Sequence, residues 1–181
     1  GVLDWMEEWL QTEWPDLKVY LTSVTEEWSV ATLSGPNAGK ILKAAGIDIS
    51  LDPSDFPFMT MREGHIAGLP VRIFRISFTG ELSYEINIRA RHGLALWTHL
   101  MRAGADYGIT PYGTEAMHVL RAEKGFIIVG QETDGSVTPQ DLGMDWIVSK
   151  VKPDYIGKRA LERASMAADN RKQLVGLRTR E

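Results

Sequence analysis

Apolar positions near the start of the chain recur at spacings of three and four. Val2, Leu3, Trp5, Met6, Trp9 and Leu10 interleave with Asp4, Glu7, Glu8 and Glu13, which predicts an amphipathic helix over residues 2–14, stopped by Pro15. Its tryptophans, Trp5, Trp9 and Trp14, suit packing against something large. The period then changes to two. Residues 18–24 and 28–33, joined by Thr25-Glu26-Glu27, read as an antiparallel strand pair. Ser34-Gly35-Pro36-Asn37 opens a helix running to Ala45, with proline near the first turn and Gly46 as its stop.

Residues 51–58 carry Asp52-Pro53 and Phe56-Pro57 and read as a loop. Strands are predicted near 59–66, 71–78 and 83–88, the first two joined at Gly68-Leu69-Pro70. A helix over about 91–107 places Leu94, Leu96, Trp97, Leu100 and Met101 on a core face, and another over 112–124 carries Ala116, Met117, Val119 and Leu120 and ends at Gly125. A loop-rich stretch follows, then a last helix over about 157–168. The order β-β-α-β-β-β-α predicts an α+β fold, an antiparallel sheet with helices packed against it. The apolar run Leu174-Val175-Gly176-Leu177 reads as a strand just begun, so both ends of the chain are expected to be cut points in a longer polypeptide.

Composition narrows the function classes. With 181 residues, 44% of them hydrophobic, the chain is long enough for one sizeable core. A net charge of −4 leaves no electrostatic footprint for nucleic acid. The basic end (Lys158, Arg159, Arg163, Arg171, Lys172, Arg178, Arg180) alternates with Glu162, Asp169 and Glu181 and reads as a solvated helix face. Zero cysteines exclude disulfides, thiol nucleophiles and cysteine-ligated metals within the chain, and fit a reducing cytoplasm. No apolar run reaches the roughly 20 residues of a membrane span.

Most chemical motifs fail on spacing. The histidines, His65, His92, His99 and His118, show no metal-ligand pairing, so no metal is expected. No serine sits in a nucleophile elbow. Gly35-Pro36-Asn37-Ala38-Gly39-Lys40 lacks phosphate-loop spacing and has Ile41 where Ser or Thr holds magnesium. The strongest local signal is Arg75-Ile76-Ser77-Phe78-Thr79-Gly80-Glu81-Leu82-Ser83-Tyr84-Glu85-Ile86. Along its second strand Tyr84, Ile86 and Ile88 point one way and Ser83, Glu85 and Asn87 the other. A strand carboxylate such as Glu85 can accept two parallel N–H bonds from a flat heterocycle, and Phe78 can stack on it. On spacing alone Glu85 reads first as a polar residue on the wet face of the sheet.

That segment resembles the R-x-x-Y/F-T-G-E-x-x-Y/F/W-E-I signature of the folate-binding aminomethyltransferase family. The family includes the glycine-cleavage T-protein and the folate domains of dimethylglycine- and sarcosine-oxidizing enzymes. The resemblance continues through the block from Tyr112 to Gly125, then Gly130-Gln131-Glu132, Thr138-Pro139 and Ile156-Gly157-Lys158. The wording of Gly80-Glu81-Leu82-Ser83-Tyr84-Glu85-Ile86 and Leu120-Arg121-Ala122-Glu123-Lys124-Gly125 is nearest the heterotetrameric sarcosine-oxidizing branch.

The resemblance implies the central part of the folate-binding fold, without its N-terminal part and C-terminal barrel. In that reading residues 16–108 form the sheet unit, 109–173 a helix and loop region, and 174–181 the start of the truncated barrel. It implies a folate site at Glu85, which pairs with the pterin's donors, and at Phe78, Met117 and Phe126. Met117 replaces an arginine that anchors the folate tail in T-proteins, and this removes that contact. The family's aspartate near the reactive nitrogens belongs before Gly1, so no catalytic residue is expected within the chain. Tetrahydrofolate is the implied cofactor, with flavin and NAD in other parts of the full enzyme. The implied partners are beta, gamma and delta subunits, and the segment alone is expected to be inactive. An aminomethyltransferase, a dimethylglycine dehydrogenase-type domain and a structural interface module that has lost folate remain as alternatives. A relative that assists iron–sulfur enzymes carries a cysteine where Lys124-Gly125-Phe126 stands here, which argues against it.

Overall fold

The computed structural model describes residues 1–178, which divide into one unit spanning Gly1–Gly113 and a second beginning at Thr114. The first unit contains helix α1 (Val2–Thr12), strand β1 (Trp28–Ser34), helix α2 (Ala38–Ala44), strands β2 (Met61–Ile66), β3 (Leu69–Phe74) and β4 (Ser83–Arg89), and helix α3 (Gly93–Ala103). The strands form one antiparallel sheet in the order β1-β4-β3-β2. The expected α+β architecture is therefore present.

Strand alternation fixes the two sides of this sheet. Leu33, Val71, Ile73, Tyr84, Ile86 and Ile88 are buried on one side, joined by Ile41 and Leu42 of α2 and Leu96 and Leu100 of α3. Phe56, from the loop before β2, lies with its ring 6.1 Å from that of Tyr84. The opposite side carries Thr32, Glu85, Asn87, Arg72 and Phe74, which register pairing sets next to one another. Gly46 stops α2 at φ +77°, a backbone state that only glycine takes without strain.

Several sequence expectations are corrected. Residues 18–24 are not a strand, and the neighbour of β1 is β4. The alternation there is real, but Val19 and Tyr20 are exposed, and with neither side of the segment buried no packing holds it as a strand. The turn between β2 and β3 is Ala67-Gly68, with Leu69 and Pro70 inside β3, and β3 ends at Phe74 rather than 78. Leu94 and Trp97 lie outside the core, because the i, i+4 pair Leu96 and Leu100 already defines the buried face of α3.

In the second unit, helix α4 (Thr114–Lys124) ends at Gly125, as its left-handed φ of +79° requires, but it buries no residue. The expected last helix shrinks to α5 (Lys158–Leu161). Residues 174–177 are not a strand, and 179–181 lie outside the described residues. Among the described residues no helix is long and apolar enough to cross a membrane.

Truncating Ile86 to alanine should destabilise the first unit by about 3 kcal/mol, since it removes core methyl groups at a fully buried position on the central strand. Leu94→Ala, at a position 80% exposed, should change stability by less than about 0.5 kcal/mol. Urea denaturation with an unchanged slope checks both.

Candidate functional site

Glu85 sits in the middle of β4, opposite Thr32 of β1 and Phe74 of β3. Its neighbours in sequence, Tyr84 and Ile86, are buried in the core, so the period-2 alternation forces the carboxylate onto the other face of the sheet. Glu85 is half-buried, and among the described residues its carboxylate has neither a hydrogen-bond donor nor an ion-pair partner. A partly desolvated carboxylate without a protein donor is free to accept N–H groups from a ligand.

The loop leading into β4 is built to hold a fixed shape. The buried hydroxyl of Thr79 faces the Glu81 amide at 3.4 Å, and Ser77 Oγ accepts from the Gly80 N–H at 2.9 Å. Gly80 has φ +83°, a left-handed state that favours glycine. Arg75 donates to the Phe56 carbonyl at 2.6 Å, and Ser34 and Ser83 hydroxyls meet at 2.8 Å across β1 and β4. The Arg-x-x-Phe-Thr-Gly-Glu pattern is thus largely loop architecture. Phe78, half-buried, is the aromatic this loop carries in the same unit as Glu85.

Met117 and Phe126 belong to the second unit, Met117 half-buried on α4 and Phe126 half-buried just after Gly125. The segment around Phe126 is held by Arg121, only 12% exposed, which donates to Glu132 Oε1 at 2.6 Å, to Gln131 Oε1 at 3.1 Å and to the Phe126 carbonyl at 3.1 Å. Glu132 Oε2 in turn accepts the Ile128 N–H at 2.7 Å; that bond first, and Arg121 second, hold its carboxyl below the usual range. Further along, Thr138 and Asp141 cap each other's backbone, the Thr138 N–H reaching Asp141 Oδ2 at 2.7 Å. Arg171 grips both oxygens of Asp141 and also the carbonyls of Ser136 and Ser165.

Arg171 therefore does not belong to a solvated helix face, as its place in the basic end suggests; it is 18% exposed and paired. Sequence reasoning missed Arg121, Glu132, Asp141 and Arg171 as organising residues. Thr138-Pro139-Gln140-Asp141 does fit a capping-box spacing, a usable signal, whereas nothing local announces that Arg171, thirty residues on, is its counter-ion. Of the histidines, His65 is tied to Asp48 by Nδ1 at 2.8 Å and His99 Nε2 meets the Ala45 carbonyl at 2.9 Å. No group of three metal-ligating side chains occurs among the described residues.

The sequence profile of the GCVT N-terminal domain matches residues 1–152. The chain belongs to that family. Among its relatives, the alpha subunit of sarcosine oxidase from Corynebacterium sp. (strain P-1) is 53% identical over 180 residues, covering 98% of this chain and 18% of that protein. Human mitochondrial dimethylglycine dehydrogenase is 36% identical over 162 residues, with 88% of this chain and 18% of that protein covered. Halothermothrix orenii aminomethyltransferase is 35% identical over 154 residues, with 85% and 42% covered. The chain thus spans less than a fifth of the sarcosine oxidase subunit it matches. The GCVT match takes in the first arginine clamp, Arg121 with Glu132, while Arg171 of the second lies beyond residue 152.

The Asp141–Arg171 clamp makes the second unit acid-sensitive. Hydrogen bonds from Arg171, then from the Thr138 N–H, push the Asp141 carboxyl far below its ordinary value. A carboxyl lowered in the folded state stabilises the fold above its unfolded pKa of about 4, and that contribution is lost as pH falls toward the folded value. Thermal melts of the wild type should therefore lose stability from about pH 5 downward, while Asp141→Asn should be less stable at pH 7 and show a flatter acid limb.

Proposed function

We propose that this chain is the folate-binding segment of a sarcosine oxidase alpha subunit. In that reading the full enzyme demethylates sarcosine to glycine in the cytoplasm and transfers the one-carbon unit to tetrahydrofolate, giving 5,10-methylenetetrahydrofolate. The 53% identity over nearly the whole chain supports the choice of enzyme. The observation that carries the ligand is Glu85, a half-buried carboxylate on the central strand whose described surroundings offer it no donor.

The residues fit tetrahydrofolate at its heterocycle end. Glu85 matches a flat ring presenting adjacent N–H groups, and Phe78 offers a face for stacking. At the positions that the resemblance assigns to the folate tail, Met117 carries no cation and Phe126 is apolar. When bound, tetrahydrofolate supplies the two nitrogens that take up the one-carbon unit. The chain's own part is to orient: a fixed carboxylate turns the ring, and placement of the reacting nitrogens raises the rate by proximity. Glu85 also rejects analogues lacking the matching donors, because its charge is then left unpaired in a partly dry site. Oxidation of the methyl group belongs to flavin in another part of the full protein, with NAD bound elsewhere again and beta, gamma and delta subunits as partners. Residues 16–108 form the sheet unit of that fold and 109–173 its helix and loop region.

A second reading keeps the GCVT fold as an interface without folate. Met117 favours it, as do Trp5 on α1 and Trp14 just after that helix, both exposed although Trp9 stacks on Trp14 at 5.5 Å. An aminomethyltransferase or dimethylglycine dehydrogenase-type domain differs in the flavin content of the full-length protein.

Titration of the full-length protein with folinic acid, followed by tryptophan fluorescence, should saturate. Glu85→Ala should weaken binding by roughly thirtyfold, the loss of a charge-assisted hydrogen-bond pair, and Glu85→Gln by less. A wild type with no saturable response sinks the folate reading and leaves the interface.

A further inference from the structure

A groove of about 580 Å³ runs along α3, outside the face that carries Glu85. The buried side chains of Ile66, Ile88 and Leu96 form its floor, and Leu94, Arg91 and Arg102 stand along it. Arg91 lies in the 3-10 turn before α3, and Arg91, Leu94, Thr98 and Arg102 follow the i, i+3, i+7, i+11 spacing of one helical stripe. Leu94 is 80% exposed.

The charges of this groove are unbalanced. No carboxylate lines it, and neither arginine is in an ion pair among the described residues; Arg91 Nε donates only to His92 Nε2, at 3.0 Å. The chain as a whole carries net charge −4, so its abundant acids have been placed elsewhere. Eleven residues of helix separate the two arginine positions by roughly 16 Å, which is too far for one small anion to engage both while resting on the apolar floor. A polypeptide segment spans that length easily. Its carboxylates match the guanidinium forks, and its apolar side chains cover Leu94 and the floor.

We propose that this groove docks an acidic, apolar-faced segment of a partner polypeptide, held by Arg91 and Arg102 at its two ends and by Leu94 between them. The proposal rests on the multi-subunit part of the reading above, in that the partner is a subunit that purifies with the full-length protein.

The test measures subunit assembly by analytical ultracentrifugation of the full-length protein with its native subunits, over a range of salt concentrations. Arg91→Glu/Arg102→Glu should raise the dissociation constant about a hundredfold, while Arg91→Lys/Arg102→Lys stays within about tenfold of wild type. Leu94→Asp, at an exposed position that folding does not depend on, should weaken assembly about tenfold by placing a charge against the acidic partner. Wild-type affinity should fall with added salt and that of the Glu variant should not. Unchanged assembly in the Glu variant and in Leu94→Asp overturns the groove while leaving folinic acid binding, read separately through Glu85, untouched. A wild type that sediments as a single chain overturns both the groove and the multi-subunit reading, again without bearing on folate.

Discussion

The alternation of β4 between core and far face is the constraint on which the candidate site depends. Tyr84, Ile86 and Ile88 are buried to 2% exposure or less, and each adds an apolar contact that holds the strand's register. A slip by one residue would drive Glu85 into the core and turn Ile86 outward, at a cost of several kcal/mol for an unpaired buried carboxylate. Apolar packing on one face therefore positions a charge on the other. The loop before β4 reinforces the register through Thr79, Gly80 and the Ser34–Ser83 contact, so the site residue's place is set by core packing along the strand and by the loop at its N-terminal end.

The two units are stabilised by different physics. Among the described residues, every buried hydrophobic one lies in the first unit, between Leu33 and Leu100, around a four-stranded sheet. Among the described residues of the second unit only Thr138 and Asp141 are buried, and two arginines tie its loops: Arg121 to Glu132, Gln131 and the Phe126 carbonyl, Arg171 to Asp141 and the carbonyls of Ser136 and Ser165. Such clamps are directional. They fix loops in one shape without needing a large apolar interior, but removing one partner strands the other, which is why paired charges of this kind tolerate substitution poorly. The segment from Leu120 to Glu132 contains the first clamp whole, whereas the second joins Asp141 to Arg171, beyond the residues 1–152 that the GCVT profile matches.

Legibility differed along the chain for definable reasons. The helix at α1, the helix at α2 with its Gly46 stop, and the inward positions of β4 were readable because local period and turn chemistry agree with the final packing. The strand expected at 18–24 failed because alternation describes a possible face, not a surface to bury it against. Leu94 and Trp97 were placed in the core because apolar residues on a helix can exceed what its buried face accommodates. Of the proposed ligand residues, Glu85 and Phe78 stand in one contiguous signature, while Met117 and Phe126 rest on resemblance alone.

By itself the sequence determined the α+β class, the membership in the GCVT family, and which side of β4 carries the carboxylate, since these follow from local periodicity and from blocks of residues close in the chain. Only the tertiary structure decided the strand order β1-β4-β3-β2, the clamp of Asp141 by Arg171, and the groove on α3 whose arginines have no ion-pair partner among the described residues. Each of these joins residues far apart in sequence. Such contacts form when the loops between them close, an entropic cost recovered by burial and charge pairing across the fold, and no local pattern encodes which distant partner will meet it.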